Sequence, residues 1–150
     1  MSETLNLEEI TAIIENEKNA TQSFLEILKK EEEALTQGQV NELDKLVSEK
    51  TKLFNQIEAI SGRRLQYLLV QGYPSNREGM QRWLIDHSDC VETQKLWHQL
   101  IDLAKQVQQI NAINGKVIAI QLQYNQRSYL ALQSAAGNIS LYGPKGQAYI

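Results

Sequence analysis

Apolar residues recur every seventh position along most of this chain, and each long run fills three such columns. In the first run Leu7, Ile14, Leu28 and Leu35 share a column with Thr21, Ile10 and Phe24 share a second with Glu17 and Glu31, and Ile13, Ala20, Ile27 and Ala34 fill the third. Three apolar columns per heptad predict an α-helix with a face wide enough for a bundle, broader than a two-stranded seam. Thr36-Gln37-Gly38 interrupts the pattern, and Gly38 is placed to end the helix in the left-handed conformation. The scheme restarts at Val40, with Val40, Val47, Phe54 and Leu68 in one column, Leu43 and Ile57 in the next, and Leu46, Leu53, Ile60 and Tyr67 in the third. The two helices read as an antiparallel hairpin around a short turn.

Gly72-Tyr73-Pro74 stops the second helix, since proline cannot continue the hydrogen-bond ladder and restricts the residue before it. Ser75-Asn76-Arg77-Glu78 has capping-box form and opens a short helix carrying Met80, Trp83 and Leu84. Ser88 or Asp89, the latter with Glu92 three residues on, is the candidate cap of a third long helix. There Leu96, Leu103, Ile110, Val117 and Tyr124 recur at sevens, with Leu100 and Val107 beside them, until the pattern fades toward Gly137. Such a helix exceeds about 40 residues, or ~60 Å. The expected fold is all-α: an elongated antiparallel helical bundle or coiled-coil hairpin of three long helices plus a short one. Residues 1–136 form the helical domain, and 137–150, with Gly143, Pro144 and Gly146, a flexible tail.

A chain of 150 residues is one domain's worth of material, and with 2 Pro and 8 Gly it has too few turn formers for a many-stranded sandwich. Cys90 stands alone, which removes a disulfide framework and any CxxC pair. The start, Met1-Ser2-Glu3-Thr4, shows no Sec-type signal, and no stretch approaches the ~18 apolar residues of a membrane span. The expected location is cytoplasmic.

The net charge of −3 argues against a general nucleic-acid binder. Its distribution is uneven: residues 1–60 hold 13 acids and 6 bases, while residues 111–150 hold Lys116, Arg127 and Lys145 and no acid. Gln121, Leu122, Gln123, Tyr124, Asn125, Gln126, Tyr129, Leu130 and Leu132 dominate the later stretch. A weakly charged, tyrosine-bearing surface suits protein recognition.

Catalytic constellations are missing from the pattern. Asp86, His87, Asp89 and Cys90 lie together like ligands, but no second ligand pair recurs elsewhere, and a polar helix junction is the plainer reading. His98 sits beside Trp97 with no partner in sequence for base catalysis. No phosphate loop is present, Gly143-Pro144-Lys145-Gly146 being too short and preceded by no strand. Glu31-Glu32-Glu33 reads as a solvated helix face, and Arg63, Arg64, Arg77 and Arg82 as surface that can gather into a basic patch. No enzyme, cofactor or metal is expected. Asn111, Asn114, Gln121 and Asn125 occupy third-helix positions that held apolar residues earlier. Either a buried Asn fixes register, or the face is under-packed and is completed by a partner's helix.

The run Leu96-Trp97-x-x-Leu100-x-x-Leu103-Ala104-x-x-Val107-x-x-Ile110-Asn111-x-x-Asn114-Gly115-x-x-Ile118, then Asn125-Gln126 and Leu141-Tyr142-Gly143-Pro144-x-Gly146-Gln147, resembles the FlgN family of flagellar export chaperones. Glu31-Glu32-x-Ala34-Leu35, Gly38, Leu43, Leu46 and Glu49-Lys50 agree with it, so the resemblance spans nearly the whole chain. It implies a small cytosolic chaperone that binds the C-terminal helical segments of flagellar hook-associated (hook-filament junction) proteins, keeps them unassembled and hands them to the type III export apparatus. Mapped onto this sequence, the implied partner-binding residues are Ile118, Leu122, Tyr124, Tyr129, Leu130 and Leu132, with Ile139, Leu141 and Tyr142 beyond them. Two other readings fit the helical pattern: a structural coiled-coil protein that self-associates through the third helix, and a regulatory module that sequesters a protein partner.

Overall fold

The computed structural model describes residues 2–135, with side chains from Leu7 to Ser134. Its helices are α1 (Ser2–Gln37), α2 (Val40–Val70), α3 (Arg77–Asp86) and α4 (Val91–Ala135), and no strand occurs among the described residues. The fold is the all-α arrangement of three long helices and one short one that the heptads predict. The segment from Asn138 onward, with Ile139, Leu141 and Tyr142, lies outside the described residues.

Two glycines make the sharp ends. Gly38 has φ +66°, and the bonds from Gly38 N to Leu35 O (3.4 Å) and Gln39 N to Ala34 O (2.9 Å) close α1 as a Schellman motif. Gly72, at φ +88°, closes α2 in the same way, with Gly72 N on Leu69 O (3.1 Å) and Tyr73 N on Leu68 O (2.8 Å). The stop therefore precedes Pro74, and proline only forbids resumption. The second long helix starts at Val40 as expected, whereas α3 and α4 start slightly later than expected. Asn76, not Ser75, caps α3, its Oδ1 accepting from Gly79 N at 2.9 Å. The first i→i−4 bond of α4 runs from Gln94 N to Cys90 O, so the cap position falls at Cys90 and not at Ser88 or Asp89. The Gln94 side chain closes that corner by donating to Leu84 O (2.7 Å) and His87 O (3.0 Å).

Contacts divide the chain into two units, Met1–Asn114 and the remainder from Gly115. In the first unit α1 is central. It packs antiparallel on α2, with Ile27 and Ala34 against Leu46, and Leu43 and Leu53 at the edge. The polar interruptions of the heptad columns meet each other: Arg64 Nε reaches Glu17 Oε1 at 2.8 Å, and Lys50 Nζ reaches Glu31 Oε2 at 3.3 Å. Glu17 and Glu31 lie two heptads apart on α1, and Arg64 and Lys50 lie two heptads apart on α2, so one register satisfies both pairs. Glu31, expected on a solvated face, is buried, whereas Glu32 and Glu33 are exposed. The buried carboxylate is compensated there by a cation and an amide, Lys50 and Asn114, which both reach it.

The part of α4 up to Asn114 lies along α1. Thr93 and Thr11 share a hydrogen bond of 2.7 Å, and Asn114 Nδ2 donates to Leu28 O (3.0 Å) and Glu31 Oε1 (2.9 Å), so the two helices run parallel. Among the third-helix amides, Asn114 is buried and ties α4 to α1 at a set register. The α3 residues Met80 and Trp83 plug one end, packing with Ile10, Ile14, Tyr67, Leu68 and Leu100. Each is fully buried, worth roughly 1.5–3 kcal/mol per side chain. One predicted core column is not core: Val40, Val47 and Phe54 are 67%, 57% and 49% exposed, and only Leu68 at its end is covered. The reason is length. The ten residues of α3 reach the Leu68 end of α2 and leave the rest of that column open.

Candidate partner-binding site

The second unit begins where α4 passes Gly115, and its described side chains, up to Ser134, are mostly exposed. A helix turns about 100° per residue, so steps of four, three, four and three put Ile118, Leu122, Asn125, Tyr129 and Leu132 on one face. The four apolar members are 45–63% exposed: Ile118 at 45%, Leu122 at 57%, Tyr129 at 45% and Leu132 at 63%. That is an apolar stripe of coiled-coil spacing, interrupted once by an amide. Tyr124 turns to a second face with Ile120, and Leu130 belongs to neither, although both are exposed as well. The six described residues of the expected set thus form one stripe of four and two outliers. Ile120 was not singled out in the sequence, and its i, i+4 relation to Tyr124 is the signal that would have found it.

Charge adds a second property. The described part of this unit carries Lys116 and Arg127 and no acid. The stripe therefore offers apolar area and amide groups, with little charge for opposite-charge steering.

The other candidate clusters separate in space. No group of three or more His, Cys, Asp or Glu among the described residues is arranged to hold a metal ion. His87 stacks on Trp83 with ring centroids 4.2 Å apart, and its Nδ1 lies 2.8 Å from Trp83 O, the geometry of a helix-end packing residue. Burial pushes the Cys90 thiol up, reinforced by the Asp89 carboxylate, which opposes the thiolate that metal binding or nucleophilic attack needs. His98 is exposed on α4. The four arginines do not gather into one patch. Arg64 is drawn to Glu17, with its guanidinium carbon 4.9 Å from the Trp97 ring centroid. Arg82 pairs with Glu78 on the surface of α3 at 2.8 Å. Arg63 lines a depression with Glu9, Ile13 and Tyr67 on the α1–α2 side. Arg77 shares a different groove, between α2, α3 and α4, with Arg64.

A family model described as FlgN protein matches residues 1–150, the full length of the chain. The chain belongs to the FlgN family. FlgN proteins are export chaperones of flagellum assembly, and the helical bundle is consistent with that membership. Neither the curated proteins nor the solved structures compared with this FlgN chain contain a match. No described helix is long and apolar enough to cross a membrane.

Proposed function

We propose that this FlgN chain binds the C-terminal helical segments of hook-filament junction proteins in the cytoplasm and holds them unassembled, without catalysis, until export. The observation that supports the reading is the Ile118, Leu122, Tyr129, Leu132 stripe, apolar side chains left in water at helix-pairing intervals on an acid-free segment. An amphipathic cargo helix laid on such a stripe buries its own apolar side and is thereby kept from self-association. Tyr124, Leu130 and, beyond the described residues, Ile139, Leu141 and Tyr142 extend the candidate surface.

Calorimetric titration of the full chain with the C-terminal segment of a junction protein tests it. Leu122→Ser and Tyr129→Ser remove apolar area that is exposed in the free protein, so the expected result is a tenfold or greater loss of affinity each, with an unchanged melting temperature. Equal losses in binding and in melting temperature would make these residues core. No binding by the full chain, together with melting that depends on protein concentration, would replace the reading with self-association through α4.

A further inference from the structure

Beyond the stripe of the second unit, the first unit holds a groove of about 720 Å³ between α2, α3 and α4. Its apolar wall includes Leu65 of α2, Leu84 of α3, and Trp97 and Ile101 of α4, all of them half-buried. Trp97 and Ile101 stand four residues apart and Ala104 follows three later, the interval with which one helix receives another. The geometry is that of a four-helix bundle with one place partly filled: α3 occupies its end, and beyond α3 the Phe54 column of α2 is open to water.

The charge around the groove selects the occupant. Arg77 and Lys105, both exposed, stand on its rim and none of its lining residues is acidic, in a chain whose net charge is −3; Arg64 in its wall is already engaged by Glu17. Glu78, next to Arg77 in sequence, is engaged by Arg82. The chain's own apolar C-terminal stretch cannot supply the complement, because residues 111–150 carry Lys116, Arg127 and Lys145 and no acid. We infer that this groove is a second docking surface, separate from the α4 stripe, for an amphipathic helix of another protein whose apolar face is flanked by carboxylates.

Two synthetic probes test this on the full chain: a three-heptad helical peptide with a leucine stripe flanked by Glu, and its twin flanked by Lys. The readouts are binding affinity and the indole N–H resonance of Trp97, which is separable from that of Trp83, the other tryptophan and a fully buried one. The Glu peptide is expected to shift the Trp97 resonance and to bind about tenfold more tightly than the Lys twin at low salt. Arg77→Glu combined with Lys105→Glu, both changes being on exposed residues, is expected to invert that preference while leaving the helical circular dichroism unchanged. Equal affinity for the twins, an unmoved Trp97 resonance, or a preference that survives the charge reversal overturns the proposal. So does loss of Glu-peptide binding in Leu122→Ser, which would place the probe on the α4 stripe and leave the junction-protein reading standing. A concentration-dependent dimer abolished by the double reversal would make the occupant a second copy of this chain, which also overturns it.

Discussion

A hydrogen atom at position 79 decides how α3 enters the bundle. A Cβ there would run into the backbone oxygen of Pro74, which is not a flexible side-chain end that can swing aside. Gly79→Ala should therefore cost about 1–3 kcal/mol, read as a lower denaturant midpoint. The Glu17–Arg64 pair makes an opposite kind of prediction, because its side chains are only 7% and 12% exposed. Removing one partner strands a buried charge: Glu17→Leu should cost about 3–5 kcal/mol, and adding Arg64→Met should recover most of it. A double-mutant cycle by chemical denaturation measures both terms. Tyr67 gives a pH test. Burial, with Glu9 nearby, pushes its phenol from 10 to about 12, so the folded chain holds that proton more tightly than the unfolded one. Its contribution is complete below pH 10 and is lost as pH rises toward about 12, and Tyr67→Phe should flatten that alkaline fall in unfolding midpoint.

At the level of elements, the glycines at 38 and 72 placed the ends of α1 and α2, the renewed heptads the start of α2, and the polar cap runs the starts of α3 and α4 within a residue or two, because these signals are local. The side facing each neighbour was less legible. Phe54 and Val47 sit in the same column as Leu68, and only the length of α3, a tertiary fact, tells them apart. Glu17, Glu31, Lys50 and Arg64 look like flaws in two columns until the hairpin register sets each acid against a base; their equal spacing on the two helices was the available clue. The α4 stripe was legible as residue types, while its division into faces needed the 100° turn. Helix-interior glycines offer a further check. Added Cβ atoms at Gly62 and Gly115 meet nothing within 4 Å, so Gly62→Ala and Gly115→Ala should each stabilise by about 0.5–1 kcal/mol, measurable as a raised melting temperature.

For the whole molecule, the core lies in the residues up to Asn114, and the stripe lies on the stretch that follows. On the proposed function, binding and folding are expected to respond to different substitutions: those at the buried Met80, Trp83 and Leu100 should lower the melting temperature, whereas those at the exposed Leu122 and Tyr129 should weaken partner binding. The same arrangement has a consequence in time. The α1–α2 hairpin closes through a turn at Gly38 and Gln39, so its pairs can form as soon as both strands of the hairpin exist. The Thr11–Thr93 and Leu28–Asn114 bonds close loops of 82 and 86 residues, and must wait until the chain has reached Thr93 and Asn114. During synthesis the hairpin therefore stands first with its α4-facing side uncovered, and α4 docks last. In the finished protein, amide hydrogens of α4 should exchange faster than those of the α1–α2 hairpin, the last helix to arrive being the first to leave.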